Sequence, residues 1–310
     1  MVLAIHGRVA PHGLAYGAVR EVPVAPTSRL RQPPVCQLAI RRSLGNLALH
    51  KLAGGRYLVP LLQPEHDQLP FAMALEVYAS PPEQPLASTR PGASGLYELR
   101  YILDGSGQVI ARDGRSETLA AGDSVLMPLG GAAFQAQSSK LSHGSQTSAA
   151  ANTPLGSYQM ACLVLVIPEE LLEHPEGGQY VDATGVASAT EAWQAAPVVG
   201  SLSVQQATAI MTNRLALVFE PGGDSVPFTF GVEIFEPGHR TMPHTHKTAH
   251  ELFFILAGDG TAFCDGERFA VKAGDSVVFP PALQQCSISE PYMMQLLLLL
   301  AAPGHMSCNA

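Results

Sequence analysis

Charge is scarce in this chain: Asp, Glu, Lys and Arg make up 14% of 310 residues. That excludes the polar, self-repelling compositions that stay unfolded. An excess of basic charge is also missing. With 18 Lys+Arg against 26 Asp+Glu the formal net charge is -8, so no nucleic-acid partner is expected, since neutralising phosphates needs the opposite balance. Long apolar runs are absent too. The longest, Tyr292 to Ala302, is about half the roughly 20 residues that a membrane-spanning helix needs, so no membrane partner is expected. The five cysteines, Cys36, Cys162, Cys264, Cys286 and Cys308, are scattered and form no Cys-x-x-Cys pair. This argues against a disulfide framework and a zinc knuckle and makes a reducing, intracellular compartment the expectation.

What the chain has is a 46% apolar fraction, a mean hydropathy of +0.14 and a length that suggests about two domains. Residues 1–44 form an N-terminal extension with Arg8, Arg20, Arg29, Arg31, Arg41 and Arg42 against the single acid Glu21. That is the composition of an organelle transit peptide, and equally of an arm packed along a barrel. The location follows as cytoplasmic, or organellar if the extension is a plastid or mitochondrial address.

An internal repeat organises the rest. Residues 98–107 read ELRYILDGSG and 251–260 read ELFFILAGDG; Asp113-Gly114 is echoed by Asp265-Gly266, and GDSVLMP at 122–128 by GDSVVFP at 274–280. All three correspondences are offset by 152 or 153 residues, which implies two copies of one module. Each copy reads as short strands, including 71–78, 99–103, 228–235 and 252–256, punctuated by glycine and proline. The two Asp-Gly pairs predict tight type I′ hairpins. Many short strands with regular turns imply double-sheet barrels. Short helices are expected only at 168–173 and 203–212, in a joining region over 168–215, and Gln137 to Thr153 reads as a surface insertion. The barrels then occupy 45–167 and 216–310.

The second module carries the chemistry. In the stretch from Gly238 to Glu251, His244 and His246 stand at i and i+2, so an extended chain projects both imidazoles to one face. Glu251 can enter the neighbouring strand on the same interior face. Two imidazoles and a carboxylate leave coordination positions open on Fe or Mn, which makes Glu251 a ligand and the one catalytic candidate. His250 adjoins it, and would replace it as ligand if the strand phase slipped by one, or support it from behind. By the same phase Phe253 and Ile255 face the interior and make the cavity mostly apolar. His239 reads as a solvated turn residue.

These residues resemble the cupin superfamily: Gly238-x5-His244-x-His246-x4-Glu251-x6-Gly258 is similar to its first motif in every position, and Gly274-x5-Pro280 opens its second. The resemblance covers both halves from about residue 45 onward. It implies an all-β bicupin of two tandem jelly-roll barrels with a few short helices, holding a divalent metal, Mn or Fe. The second motif normally ends in a histidine ligand; here Gln285 takes that place and Ala282 that of the motif glycine. A glutamine oxygen is a weaker ligand that Mn or Fe accepts. Ureidoglycine aminohydrolases, manganese bicupins, are similar in placing a glutamine there, although they carry glutamate where His244 stands. In the first module the corresponding positions are Pro91, Ala93 and Ala133, and only Glu98 remains. A lone buried carboxylate is costly, so Glu98 is expected to pair with Arg100 or Arg115.

The resulting expectation is a mononuclear metalloenzyme acting through the C-terminal barrel on a small oxygenated organic molecule, by dioxygenase, decarboxylase, isomerase or aminohydrolase chemistry. The alternatives are a ligand-binding or regulatory bicupin without catalysis and a storage-type bicupin with a vestigial site. The leucine-rich stretch from Tyr292 to Leu300 adds the expectation of a homodimer.

Overall fold

A computed structural model describes residues 2–6, 39–79, 86–87, 96–128, 132–137, 158–168, 197–210, 213–219, 228–241, 244, 246, 249–281, 287–289 and 294–301. Strands dominate; the described helices are one four-residue α-turn at Pro64–Asp67 and three-residue 3-10 turns. The first barrel pairs a seven-stranded sheet with the four-stranded sheet Leu86–Ala87, Ala132–Ala136, Ser106–Ala111, Ser116–Ala120. The larger sheet is centred on Leu96–Asp104, Met160–Pro168 and Ala72–Tyr78. The second barrel repeats the plan with a six-stranded sheet centred on Ala249–Ala257, Met294–Ala301 and Phe228–Phe235, opposite Glu267–Lys272, Asp259–Cys264 and Ser287–Ser289.

Side-chain alternation separates three cores. Leu252, Phe254 and Leu256 face one way and join Phe228, Phe230, Leu75, Leu99 and Tyr101 in a shared core between the barrels. Across it Tyr101 and Phe230 meet edge to face at 6.0 Å. Phe253 and Ile255 point the other way, into the second barrel with Phe235, Val271, Val277 and Phe279, as their phase predicts. Tyr78, Ile102, Met127, Phe134 and Cys162 fill the first barrel. Residues 252–256 form an unbroken apolar run because both faces of the strand are buried. Met294–Ala301 lies between two other strands of this sheet and is not an edge.

The modules exchange strands. Ile40–Ser43, from the N-terminal extension, pairs with Asp275–Phe279 of the second barrel, while Val198–Ser201 pairs with Asp123–Pro128 of the first. Ser43 faces Asp275 and Ser201 faces Asp123, so the two exchanges have the same register on repeat-related strands. Arg41 fastens the first with a bond of 2.7 Å to buried Asp275. Val2–His6 also lies antiparallel to Ala249–Ala257. The stretch read as a joining region thus supplies strands to both barrels.

Three expectations change. The helix expected over 203–212 is instead a 3-10 turn at Leu202–Val204 followed by the strand Thr208–Ile210, whose pairing with Asn213–Phe219 overrides helix propensity. Asp265 and Gly266 both have positive φ, 52° and 84°, as a type I′ turn requires, but in the first module only Gly114 does. There Gly114 N–H donates to Ala111 O and Ala111 N–H to Arg115 O, a three-residue loop closed by glycine. Cys264 is disulfide-bonded, although the scattered cysteines argued against a disulfide framework. The helix at 168–173 falls outside the described residues beyond Pro168, as does the insertion beyond Gln137.

Candidate metal centre

Glu251 sits near the start of the strand Ala249–Ala257, 4% exposed, on the face that carries Phe253 and Ile255. His244 and His246 follow Gly238, which has a φ of 82°, and bring their ring nitrogens to the same carboxylate. Two residues apart in the chain, the rings both reach Glu251 Oε1. His244 Nε2 lies 3.0 Å from His246 Nε2 and 3.2 Å from Glu251 Oε1, and His246 Nε2 is 3.6 Å from that oxygen. Adjacent ligands held at bonds of about 2.1 Å around an octahedral ion stand roughly 3 Å apart, so these three atoms fit one face of such an ion. Burial works to raise the pKa of Glu251, but the charges and hydrogen bonds of His244 and His246 outweigh it and hold the carboxyl at about 2. The carboxylate is therefore in its ligating form.

His250 faces the opposite way. Its ring stacks edge to face on Phe71 at 5.7 Å, in the core between the barrels, so the strand phase does not slip and His250 is no substitute for Glu251. His239 lies in a turn closed by its N–H to Glu236 O. Gln285 lies outside the described residues.

Sequence reading missed Glu233 and Asn213. Glu233 is 8% exposed, on the interior face of Phe228–Phe235, and its Oε1 accepts a hydrogen bond of 2.7 Å from Asn213 Nδ2. Burial pushes its pKa up to about 7, helped by the nearby charge of Glu251 and opposed by the Asn213 bond. The signal was available in the repeat, because Glu76 and Glu233 both stand two residues before the ends of matching strands, Tyr78 and Phe235. Strand register extends the match: Arg56 pairs with Tyr78, and Asn213 with Phe235.

In the first barrel, Glu98 is paired with Arg100 Nε, one of the two partners expected, whereas Arg115 binds Asp113. Arg100 Nη1 also reaches Glu76 Oε2 at 2.6 Å and Tyr78 Oη at 3.1 Å, and Arg56 holds Glu76 Oε1 at 2.9 Å. Burial opposes ionisation of Glu76, but the two arginines keep its pKa below the usual value. The same burial pushes the Cys162 thiol up to about 12, which leaves it unreactive. Ala133, at the position of the missing second-motif histidine, lies within the strand Ala132–Ala136.

Comparison with known proteins bears on the fold. Residues 231–285 match the cupin domain model. A 44-residue stretch is 43% identical to the uncharacterised protein MJ1618 of Methanocaldococcus jannaschii, covering 14% of this chain and about a third (35%) of that protein. Among solved structures, a putative glyoxylate-induced protein from Pseudomonas aeruginosa superposes with a TM-score of 0.58 at 13% identity, over 92% of this chain and 96% of that one. Oxalate decarboxylase from Lactobacillus farciminis gives 0.57 at 12%, over 86% and 87%, and protein Ylba from E. coli gives 0.56 at 14%, over 86% and 93%. No described helix is long and apolar enough to cross a membrane. Residues 231–285 are a cupin domain, and the chain as a whole is a two-barrel protein of the cupin fold.

Proposed function

We propose that the second barrel is the active site of a mononuclear Mn or Fe enzyme acting on a small oxygenated organic molecule, with His244, His246 and Glu251 as ligands and Gln285 as a fourth. The observation that carries this reading is the triangle of donor atoms, 3.0, 3.2 and 3.6 Å on its sides. When bound, the metal supplies a Lewis acid that polarises a substrate oxygen. The protein's part is to orient that oxygen and to keep water scarce. Phe253, Ile255 and Phe279 form the apolar wall beside Glu251, and a low-dielectric wall strengthens every charge interaction at the site. Oxalate decarboxylases, which share the fold, are named for a small carboxylate, and this supports an organic acid or a related oxygen donor as substrate class.

The test is elemental analysis of protein purified without chelators or nickel affinity, beside a His244→Ala/His246→Ala variant. Expected are about one Mn or Fe per chain in the parent protein and essentially none in the variant. Equal metal in the two proteins would overturn the assignment.

A further inference from the structure

Glu233 is an anomaly of the second barrel when it is set beside its counterpart. In the first barrel the equivalent carboxylate, Glu76, is neutralised by Arg56 and Arg100 and receives a hydrogen bond of 2.7 Å from Tyr78 Oη. In the second barrel all three partners are replaced. Asn213 stands for Arg56, Phe253 for Arg100 and Phe235 for Tyr78, while the carboxylate itself stays. A buried carboxylate without an arginine or lysine is costly, and replacing it would be cheap. Among the described residues Glu233 has one hydrogen-bond partner, Asn213 Nδ2 on Oε1. That donation fixes the carboxyl plane and leaves Oε2 as an acceptor, on the interior face of the barrel that holds the metal triangle.

We propose that Glu233, oriented by Asn213, is the substrate-positioning residue of the second barrel and selects a substrate with an oxygen donor at one end and an N–H or O–H donor at the other. The inference rests on the metal-centre reading above and deepens it. A divalent metal with Glu251 leaves one positive charge, which one substrate carboxylate balances; above about pH 7, where Glu233 is ionised, a second substrate carboxylate would face a like charge. A dianion is therefore rejected and its monoamide accepted, because an amide N–H satisfies Oε2. Leaving a buried acceptor unpaired, or setting it against a like charge, is the usual source of strong discrimination in such pockets.

The probes are three pairs of increasing length, oxalate with oxamate, malonate with malonamate and succinate with succinamate, titrated calorimetrically into the Mn-loaded full chain. In at least one pair the monoamide is expected to bind about tenfold more tightly than the dicarboxylate. Glu233→Gln, nearly isosteric, is expected to reduce that preference about tenfold or reverse it with metal content unchanged, since the new amide can donate to a carboxylate. Asn213→Ala, which keeps the charge but frees the carboxyl plane, is expected to weaken the monoamide by roughly fivefold and serves if the first variant folds poorly. The proposal is overturned if no probe binds, if preferences are unchanged in both variants, or if Glu233→Gln loses its metal, which would make Glu233 a ligand. Failure of the metal-centre reading looks different: the parent protein would hold no metal, or the His244→Ala/His246→Ala variant would hold as much.

Discussion

Glu98 and Glu251 occupy the same repeat position on matching strands, are 2% and 4% exposed, and have different partners. Two residues along the strand, Arg100 brings a guanidinium that is bound covalently to the chain and bridges Glu98 to Glu76. The second barrel has Phe253 there, and its carboxylate instead lies beside two imidazoles, with the two Nε2 atoms 3.0 Å apart. A buried carboxylate must be compensated in either case. The difference lies in whether the compensating charge belongs to the chain. The Arg100 guanidinium lies in the first interior, 4.7 Å from the centroid of the Phe134 ring, whereas in the second barrel the proposed metal would supply the charge and leave coordination positions open. The comparison also isolates Glu233, which meets Asn213 where its counterpart Glu76 is held by two arginines.

The most direct way to break this comparison is to give the second barrel the first barrel's cation. Phe253→Arg places a guanidinium on the strand between Glu251 and Glu233, and essentially complete loss of Mn or Fe by elemental analysis is the expected outcome. Full retention of metal would mean that the two interiors are not equivalent. In the other direction, Arg100→Ala leaves Glu76 with Arg56 and the Tyr78 bond and takes the Arg100 Nε bond from Glu98. Removing one partner from such a buried network costs about 3–5 kcal/mol, read as a lowered urea midpoint. Metal content in the second barrel is expected to stay at the parent level, because Arg100 belongs to the other interior.

How much of this was legible beforehand follows from where the information lies. The barrels were readable because turns repeat as short words: Gly105, Gly114 and Gly122 have φ of 78°, 84° and 94°, and Gly258, Gly266 and Gly274 have 82°, 84° and 87°. Local sequence states such needs plainly. The opposite facing of Glu251 and His250 was decided by burial on two faces, since Phe71, which packs on His250, lies some 180 residues away in the chain. Strand exchange was hidden for a related reason: Ile40–Ser43 carries nothing that names its partner more than 230 residues later. Glu233 was missed because a single acid in an apolar strand is uninformative until Glu76 is recognised as its counterpart.

A smaller effect follows from the lone acid. Glu233 has a folded pKa of about 7, against an ordinary value of 4.5. Between those two pH values the folded protein keeps a proton that the unfolded chain has released, so stability falls as pH rises through this window, and the loss is complete above about pH 7. A displacement of that size corresponds to roughly 3 kcal/mol. In metal-free protein, Glu233→Gln is therefore expected to gain stability over the parent at pH 8 and to match it near pH 4. An equal gain at both pH values would show that the carboxylate is not strained by burial. Glu76, whose pKa is lowered by its arginines, gives the opposite sign: its contribution is present at neutral pH and is lost as the solution is acidified.

The mildest comparison concerns the two hairpins, which differ in loop length yet place their glycines alike. Gly114 and Gly266 both have a φ of +84°, and a Cβ added at either meets no atom within 4 Å. Substitution by alanine therefore meets no steric wall, and the cost is confined to holding an L-residue in the left-handed region, about 1 kcal/mol. Gly114→Ala and Gly266→Ala are expected to lower the urea midpoint by equal and small amounts, whatever the chemistry of the barrel that carries them. A much larger loss at Gly266 would separate the modules at the level of their turns as well, since there the preceding Asp265, at φ 52°, already occupies the left-handed region and a second such residue without glycine's freedom would strain the whole two-residue loop.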